Sequence, residues 1–136
     1  MIPLNDCVLV TEDEFLIAEL WSSYLEGMGL RVCGMAASAA ESVALAQEHR
    51  PQLVLMDMRL RGDSDGVDAA LEIHATVGCG VIFITGSMEP ETTARINLDH
   101  PKAILYKPIC EAQFQDAVRL ALLSVVTDPE PDRIFV

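Results

Sequence analysis

The sequence predicts a doubly wound α/β fold, a five-stranded parallel sheet with helices on both faces. Three observations lead there. Five short apolar runs alternate with stretches of helical periodicity, the pattern that builds parallel sheets. The runs are nearly continuous rather than alternating, as strands covered on both faces require. The run Val54-Leu55-Met56 passes straight into Asp57 and a glycine-bearing loop, Met58 to Gly66. In open parallel sheets ligands bind beyond such carboxyl ends.

Composition sets bounds on function. With 136 residues, 51% of them hydrophobic, the chain suits one domain with its own core. A net charge of −12 argues against binding nucleic acid or an anionic membrane, since both need basic patches. Neither a basic–apolar leader nor an apolar run long enough to span a bilayer is visible, so a cytoplasmic protein is expected. Cys7, Cys33, Cys79 and Cys110 show no C-x-x-C pairing and read as reduced core thiols.

The elements follow in order. Cys7 to Val10 is the first strand and ends in Thr11-Glu12-Asp13-Glu14. An amphipathic helix follows, with Ile17, Leu20, Trp21, Tyr24 and Met28 on one face and Gly27 and Gly29 at its end. Trp21 and Tyr24 are expected in the core. Leu30 to Met35 is the second strand. Ser38 and Glu41 have the spacing of a capping box and open an alanine-rich helix that Pro51 ends after Arg50. Leu53 to Met56 is the third strand. Asp65-Gly66 leads into a helix to about Thr76, with Val67, Ala70, Leu71 and His74 on one face. Val81 to Ile84 is the fourth strand, ending in Thr85-Gly86-Ser87. Residues 89–100 are polar, with Ile96 and Leu98 as anchors, and predict a weak, irregular helix. Ala103 to Tyr106 is the fifth strand, followed by Lys107-Pro108 and a last helix from about Glu111 to Ser124, with Phe114, Ala117, Val118 and Ala121 at helical spacing. Residues 1–126 read as one domain. Residues 127–136 form an acidic, proline-punctuated tail, expected to be mobile.

A strand order of 2-1-3-4-5, taken over from other doubly wound sheets, makes strands 1 and 3 neighbours. Glu12, Asp13 and Asp57 then converge. Three close carboxylates raise one another's pKa, and a hard divalent cation such as Mg²⁺ is the natural remedy. Thr85 offers a hydroxyl and Lys107 a cationic ligand for an anion. Acid cluster, hydroxyl and lysine together make a site for phosphoryl transfer onto a carboxylate, with Asp57 as nucleophile. In isolation, Glu12-Asp13-Glu14 could be an acidic first helical turn and Lys107 a surface lysine. His49, His74 and His100 lack ligand spacing. Asp63 and Asp65 read as loop and helix-cap residues.

With one such residue at each strand end in this order, residues 5–125 resemble a response-regulator receiver domain of two-component signalling. The resemblance implies that Asp57 is the phosphoacceptor. It implies that Glu12, Asp13, Asp57 and the backbone carbonyl of Arg59 hold Mg²⁺, and that Thr85 and Lys107 contact the phosphoryl oxygens. It also implies a cis Lys107-Pro108 bond. Some features depart from many receivers. Leu105 and Ile104 stand where an aromatic switch residue is usual, and Tyr106 adjoins Lys107, where alternation points it to the other side of the strand. Gly86 stands where alanine is common, and the loop after Asp57 lacks the usual proline. Phe83-Ile84-Thr85-Gly86 resembles a receiver subgroup, described mainly in alphaproteobacteria, with a Phe-Ala-Thr-Gly motif after strand 4, a poorly ordered fourth helix and no aromatic switch.

The function so implied is that of a single-domain response regulator. It would take a phosphoryl group from a sensor histidine kinase or a histidine phosphotransfer protein and signal through protein contacts, without enzymatic turnover of a separate substrate. The family analogy adds a possible homodimer through the fourth helix, fifth strand and last helix. The chain could also be a receiver from a longer hybrid kinase. One rival is a Mg²⁺-dependent aspartyl phosphohydrolase, which would want a second aspartate where Arg59 stands. A receiver-like module that is never phosphorylated is another. A nucleotide or flavin domain is disfavoured because no glycine-rich loop follows strand 1.

Overall fold

A computed structural model describes residues 3–127 of the chain, with side chains to Leu123. The tail foreseen from the sequence, beyond Thr127, lies outside the described residues. Strands β1 (Asn5–Thr11), β2 (Val32–Ala36), β3 (Pro51–Asp57), β4 (Gly80–Thr85) and β5 (Ala103–Tyr106) form one parallel sheet in the order 2-1-3-4-5. This is the expected order. Side chains alternate between the two faces of a strand, and both faces are covered here. Leu9, Val54, Met56, Val81 and Phe83 pack with helices α2 (Ala39–His49), α3 (Gly66–Thr76) and Ile96 of α4 (Pro90–Ile96). Val8, Val10, Leu53, Leu55, Ile82 and Ile84 pack with α1 (Phe15–Gly27) and α5 (Glu111–Thr127).

The caps show local sequence at work. Ser38 Oγ accepts the Glu41 N–H at 3.1 Å, but Glu41 Oε1 accepts the N–H of Ala37 rather than that of Ser38, so the expected capping box closes one residue upstream. Asp65 and Asp68 make a full reciprocal box at the start of α3, at 3.0 Å each way. Arg50 ends α2 in a left-handed conformation (φ 47°), and Pro51 opens β3.

Two helix faces are rotated from expectation. On α1 the buried residues are Ala18, Trp21, Ser22 and Leu25, while Leu20 is exposed. On α3 Val67, Ala69, Ala70 and Ile73 are buried, and Leu71 and His74 face outward. There the small residues turn inward with Ala39 and Ala46 of α2, so closeness of approach outweighs side-chain size. All four cysteines are free; Cys7 and Cys79 are buried, but Cys110 is exposed and is not a core thiol.

The polar 89–100 segment is the weak element foreseen. The helix α4 spans seven residues and continues as a 3₁₀ turn, Asn97–Asp99. Ile96 is fully buried, whereas Leu98 is 59% exposed and is not a core anchor. A polar clasp adds to the hold: Arg95 Nε and Nη2 donate to the Asp65 carboxylate at 3.0 and 3.1 Å, and Nη2 also meets Asp68 at 2.9 Å.

The loop after Asp57 folds back so that the Gly66 N–H donates to the Met58 carbonyl at 2.8 Å. A Cβ at Gly66 would run into the Asp57 carbonyl oxygen. Gly66→Ala is therefore expected to destabilise the fold by about 3 kcal/mol, read as a lower urea midpoint with an unchanged m-value. A loss well under 1 kcal/mol would show that the loop yields. Arg95→Ala is expected to speed amide exchange in α4 roughly two- to fivefold, the worth of a part-exposed ion pair. Unchanged exchange would mean that Ile96 alone holds the helix.

Candidate functional site

The register aligns the carboxyl ends of the strands. Thr11 pairs with Met56, Asp57 with Ile84, and Thr85 with Tyr106. The two-residue period carries side-chain direction past the strand ends. After Val10, Leu55 and Leu105, residues Glu12, Asp57 and Lys107 fall on the α1–α5 side. Thr85 follows Phe83 on the other side, and Tyr106 shares the side of Ile104.

Glu12, Asp13 and Asp57 each bring a carboxylate oxygen to within 4.8 Å of the others, the one acidic group of this kind among the described residues. Lys107 Nζ donates to Glu12 Oε1 at 2.9 Å and lies 3.4 Å from Asp57 Oδ1. The second Glu12 oxygen accepts the Glu14 N–H at 3.0 Å. Glu12, Asp57 and Thr85 are buried, whereas Asp13 and Lys107 are half-buried. Asp13, Asp57, Arg59, Thr85, Gly86 and Lys107 line one open cleft. All the residues singled out at the strand ends meet in one place. The Lys107-Pro108 bond is cis, as the resemblance implied.

Burial governs the electrostatics. It pushes the Glu12 carboxyl up to about 7, against the Glu14 N–H and the Lys107 ammonium, which favour the ion. Asp57 is raised for the same reason, again with Lys107 opposing. At Lys107 burial works against the charge, but the hydrogen bond to Glu12 and the Asp57 charge outweigh it and raise its pKa. Both members of the pair are thus shifted upward, the acid by burial and the amine by pairing. The Glu12 side chain is wholly enclosed while a quarter of Lys107 reaches water, so desolvation wins at the acid and pairing wins at the amine. One ammonium among three converging carboxylates leaves negative charge uncompensated. A small oxygen-seeking divalent cation fits that donor set.

Three contributors were not foreseen as part of the site. Ser87 donates its N–H to Thr85 Oγ1 at 3.1 Å, and its own hydroxyl accepts the Glu89 N–H and meets Thr92 Oγ1 at 3.3 Å. Asp65 caps α3, as read from the sequence, and also borders the cleft. Trp21 was expected as core packing; it is buried, and its ring also faces the Lys107 ammonium. The serine hydroxyl after Thr85 was visible in the sequence, but the Trp21–Lys107 approach joins positions 86 residues apart and had no local signal.

Known proteins agree with this geometry. Residues 8–119 match the family described as the response regulator receiver domain. The phyllosphere-induced regulator PhyR of Methylorubrum extorquens is 35% identical over 116 residues, which are 85% of this chain and 43% of that protein. The transcriptional regulatory protein PdtaR of Mycobacterium tuberculosis is 32% identical over 115 residues, 85% of this chain and 56% of that protein. The chain thus spans about half the length of these relatives. Among solved structures, the signal receiver domain of a modulated diguanylate cyclase from Desulfovibrio desulfuricans superposes with a TM-score of 0.83 at 31% identity, covering 90% of this chain and 97% of that one. A receiver domain from Methanospirillum hungatei, at 23% identity, shares the fold with a TM-score of 0.84, over 93% of this chain and 100% of its own. No described helix is long and apolar enough to cross a membrane. By its matched residues, its sheet order and the cluster at its strand ends, this chain belongs to the response regulator receiver domain family.

Proposed function

We propose that the domain takes a phosphoryl group onto Asp57 from a phosphohistidine of a sensor histidine kinase or histidine phosphotransfer protein. The observation that carries this reading is the placing of Asp57 at the end of β3, in one cleft with Asp13 and Thr85 and 3.4 Å from the Lys107 ammonium. In the step, an Asp57 carboxylate oxygen forms a bond to phosphorus as the phosphorus–nitrogen bond breaks, and the bonding pair stays on the imidazole nitrogen. Lys107 balances charge on the phosphoryl oxygens. Thr85 uses its oxygen to accept the Ser87 N–H and keeps its own proton to donate. Glu12, Asp13, Asp57 and the Arg59 carbonyl would hold Mg²⁺, which when bound supplies positive charge beside the transferring group.

Added negative charge beside Thr85 and Lys107 would act on the segment from Gly86 through α4 and β5, whose helix has one fully buried apolar anchor. The short α4 and the sequence Phe83-Ile84-Thr85-Gly86 support placing the domain in the subgroup with the Phe-Ala-Thr-Gly-type motif. Output by protein contacts, a homodimer through α4, β5 and α5, and a cytoplasmic setting complete the reading.

After incubation with acetyl phosphate and Mg²⁺, intact mass is expected to rise by one phosphoryl group (about 80 Da) in the wild type and not in Asp57→Ala. A wild type that gains nothing contradicts the assignment. Stability without metal should also carry the signature of Glu12. Its folded pKa, about 7, lies above the ordinary 4.5, so between those values the native state holds the extra proton. Stability from this group is then fully present below about pH 4.5 and is lost as pH rises through about 7. Denaturant melts across this range should show the decline in the wild type and a flatter profile in Glu12→Gln. Equal slopes would place the titration elsewhere.

A further inference from the structure

Lys107 is held by more than carboxylates. Its Nζ lies over the face of the Trp21 ring, 5.6 Å from the centroid. It donates to Glu12 Oε1, Asp57 Oδ1 lies 3.4 Å away as an ion-pair partner, and the indole closes a further side. Trp21 itself is 2% exposed. It packs against Phe114 of α5 with centroids 6.4 Å apart at 39°, and Phe114 meets Tyr24 edge-on at 5.2 Å. A rigid, buried ring therefore faces a charge carried on a flexible four-carbon stem. The negative face of an indole attracts a cation, and more strongly where water is excluded.

We infer that Trp21 is a positioning residue for Lys107: the indole face holds the ammonium between Glu12 and Asp57, ready to follow the phosphoryl group. The functional half of this inference rests on Asp57 being the phosphoacceptor, whereas the contact itself rests on geometry alone. In this chain the aromatic ring that serves the lysine comes from α1, while Leu105 on the same face of β5 is aliphatic. A ring that only filled space would act through its volume. A ring that holds the ammonium acts through the electron density of its face, and the two can be separated.

Trp21 is the chain's one tryptophan, so replacing tryptophan biosynthetically with mono- and tetrafluorinated analogues alters this ring alone at nearly constant size. The full chain would be melted without metal, in the wild-type background and in Lys107→Met, and phosphoryl uptake from acetyl phosphate and Mg²⁺ would be timed in the wild-type background. With Lys107 present, the melting temperature is expected to fall stepwise with fluorination. In Lys107→Met that dependence should vanish. Uptake should slow about threefold to tenfold in the tetrafluorinated protein, the range of a partly desolvated cation–π contact. Equal melting trends in the two backgrounds, or an uptake rate indifferent to fluorination, overturn the inference. A wild type that never gains a phosphoryl group overturns the reading of Asp57 and the role given to Trp21 in it, while the melting series still decides the contact.

Discussion

The enclosure of like charges at the ends of neighbouring strands is the constraint on which the rest of this molecule depends. Glu12 and Asp57 are both buried, Asp13 stands beside them, and one lysine reaches the pair. Burial makes each acid harder to ionise, and the Asp57 charge makes Glu12 harder still. Arrangements of this kind stabilise a fold weakly at best, because desolvation offsets much of the attraction between opposite charges. Their presence at a cleft is what a site for cation and phosphoryl chemistry requires. The sheet order makes the enclosure possible, since it sets β1 against β3.

Side-chain alternation then distributes the roles. Glu12, Asp57 and Lys107 fall on the face covered by α1 and α5, and Thr85 falls on the face toward α4. The site is straddled by the sheet edge, with its charge on one side and its hydroxyl on the other. That division explains why the lysine meets Trp21, a residue of α1, while the threonine is tied through Ser87 and Thr92 to α4. The loop closing the site is shaped by Gly66, where the backbone passes too near the Asp57 carbonyl for any side chain. Its far end is pinned by Asp65, which caps α3 and receives Arg95 from α4. The short α4 thus touches the site through Arg95 and Thr92 and is otherwise thinly anchored.

Much of this was legible in the sequence because it is local. Apolar runs ending in Glu12-Asp13, Asp57, Thr85 and Lys107 mark strand ends, and strand ends of a parallel sheet share one edge. Asp65 as a cap and the weak 89–100 helix were likewise readable from neighbours in the chain. What failed depends on packing between elements. Leu20 and Leu71 look like core residues by spacing, but α1 is rotated to bury Ala18, Trp21, Ser22 and Leu25, and α3 to turn Ala69 and Ala70 inward. Leu98 looked like an anchor and is exposed, since the 3₁₀ turn changes the periodicity after Ile96. Glu41 reaches past the cap residue to Ala37, a matter of rotamer rather than spacing. Cys110 lies between Ile109 and Glu111, at the start of the last helix and at the surface of the fold. The approach of Trp21 to Lys107 depends on the whole sheet order.

The central claim is that the charge left uncompensated by Lys107 is a seat for a divalent cation with a phosphoryl group on Asp57. Beryllofluoride, which mimics an acyl-bound phosphoryl group, tests this directly by ¹⁹F NMR of the full chain. A bound resonance that needs Mg²⁺ and disappears in Asp57→Asn is the predicted result. A wild type that shows only free fluoride species at saturating beryllium and Mg²⁺ would contradict the account, because the cluster would then be unable to hold the tetrahedral group for which its geometry is proposed.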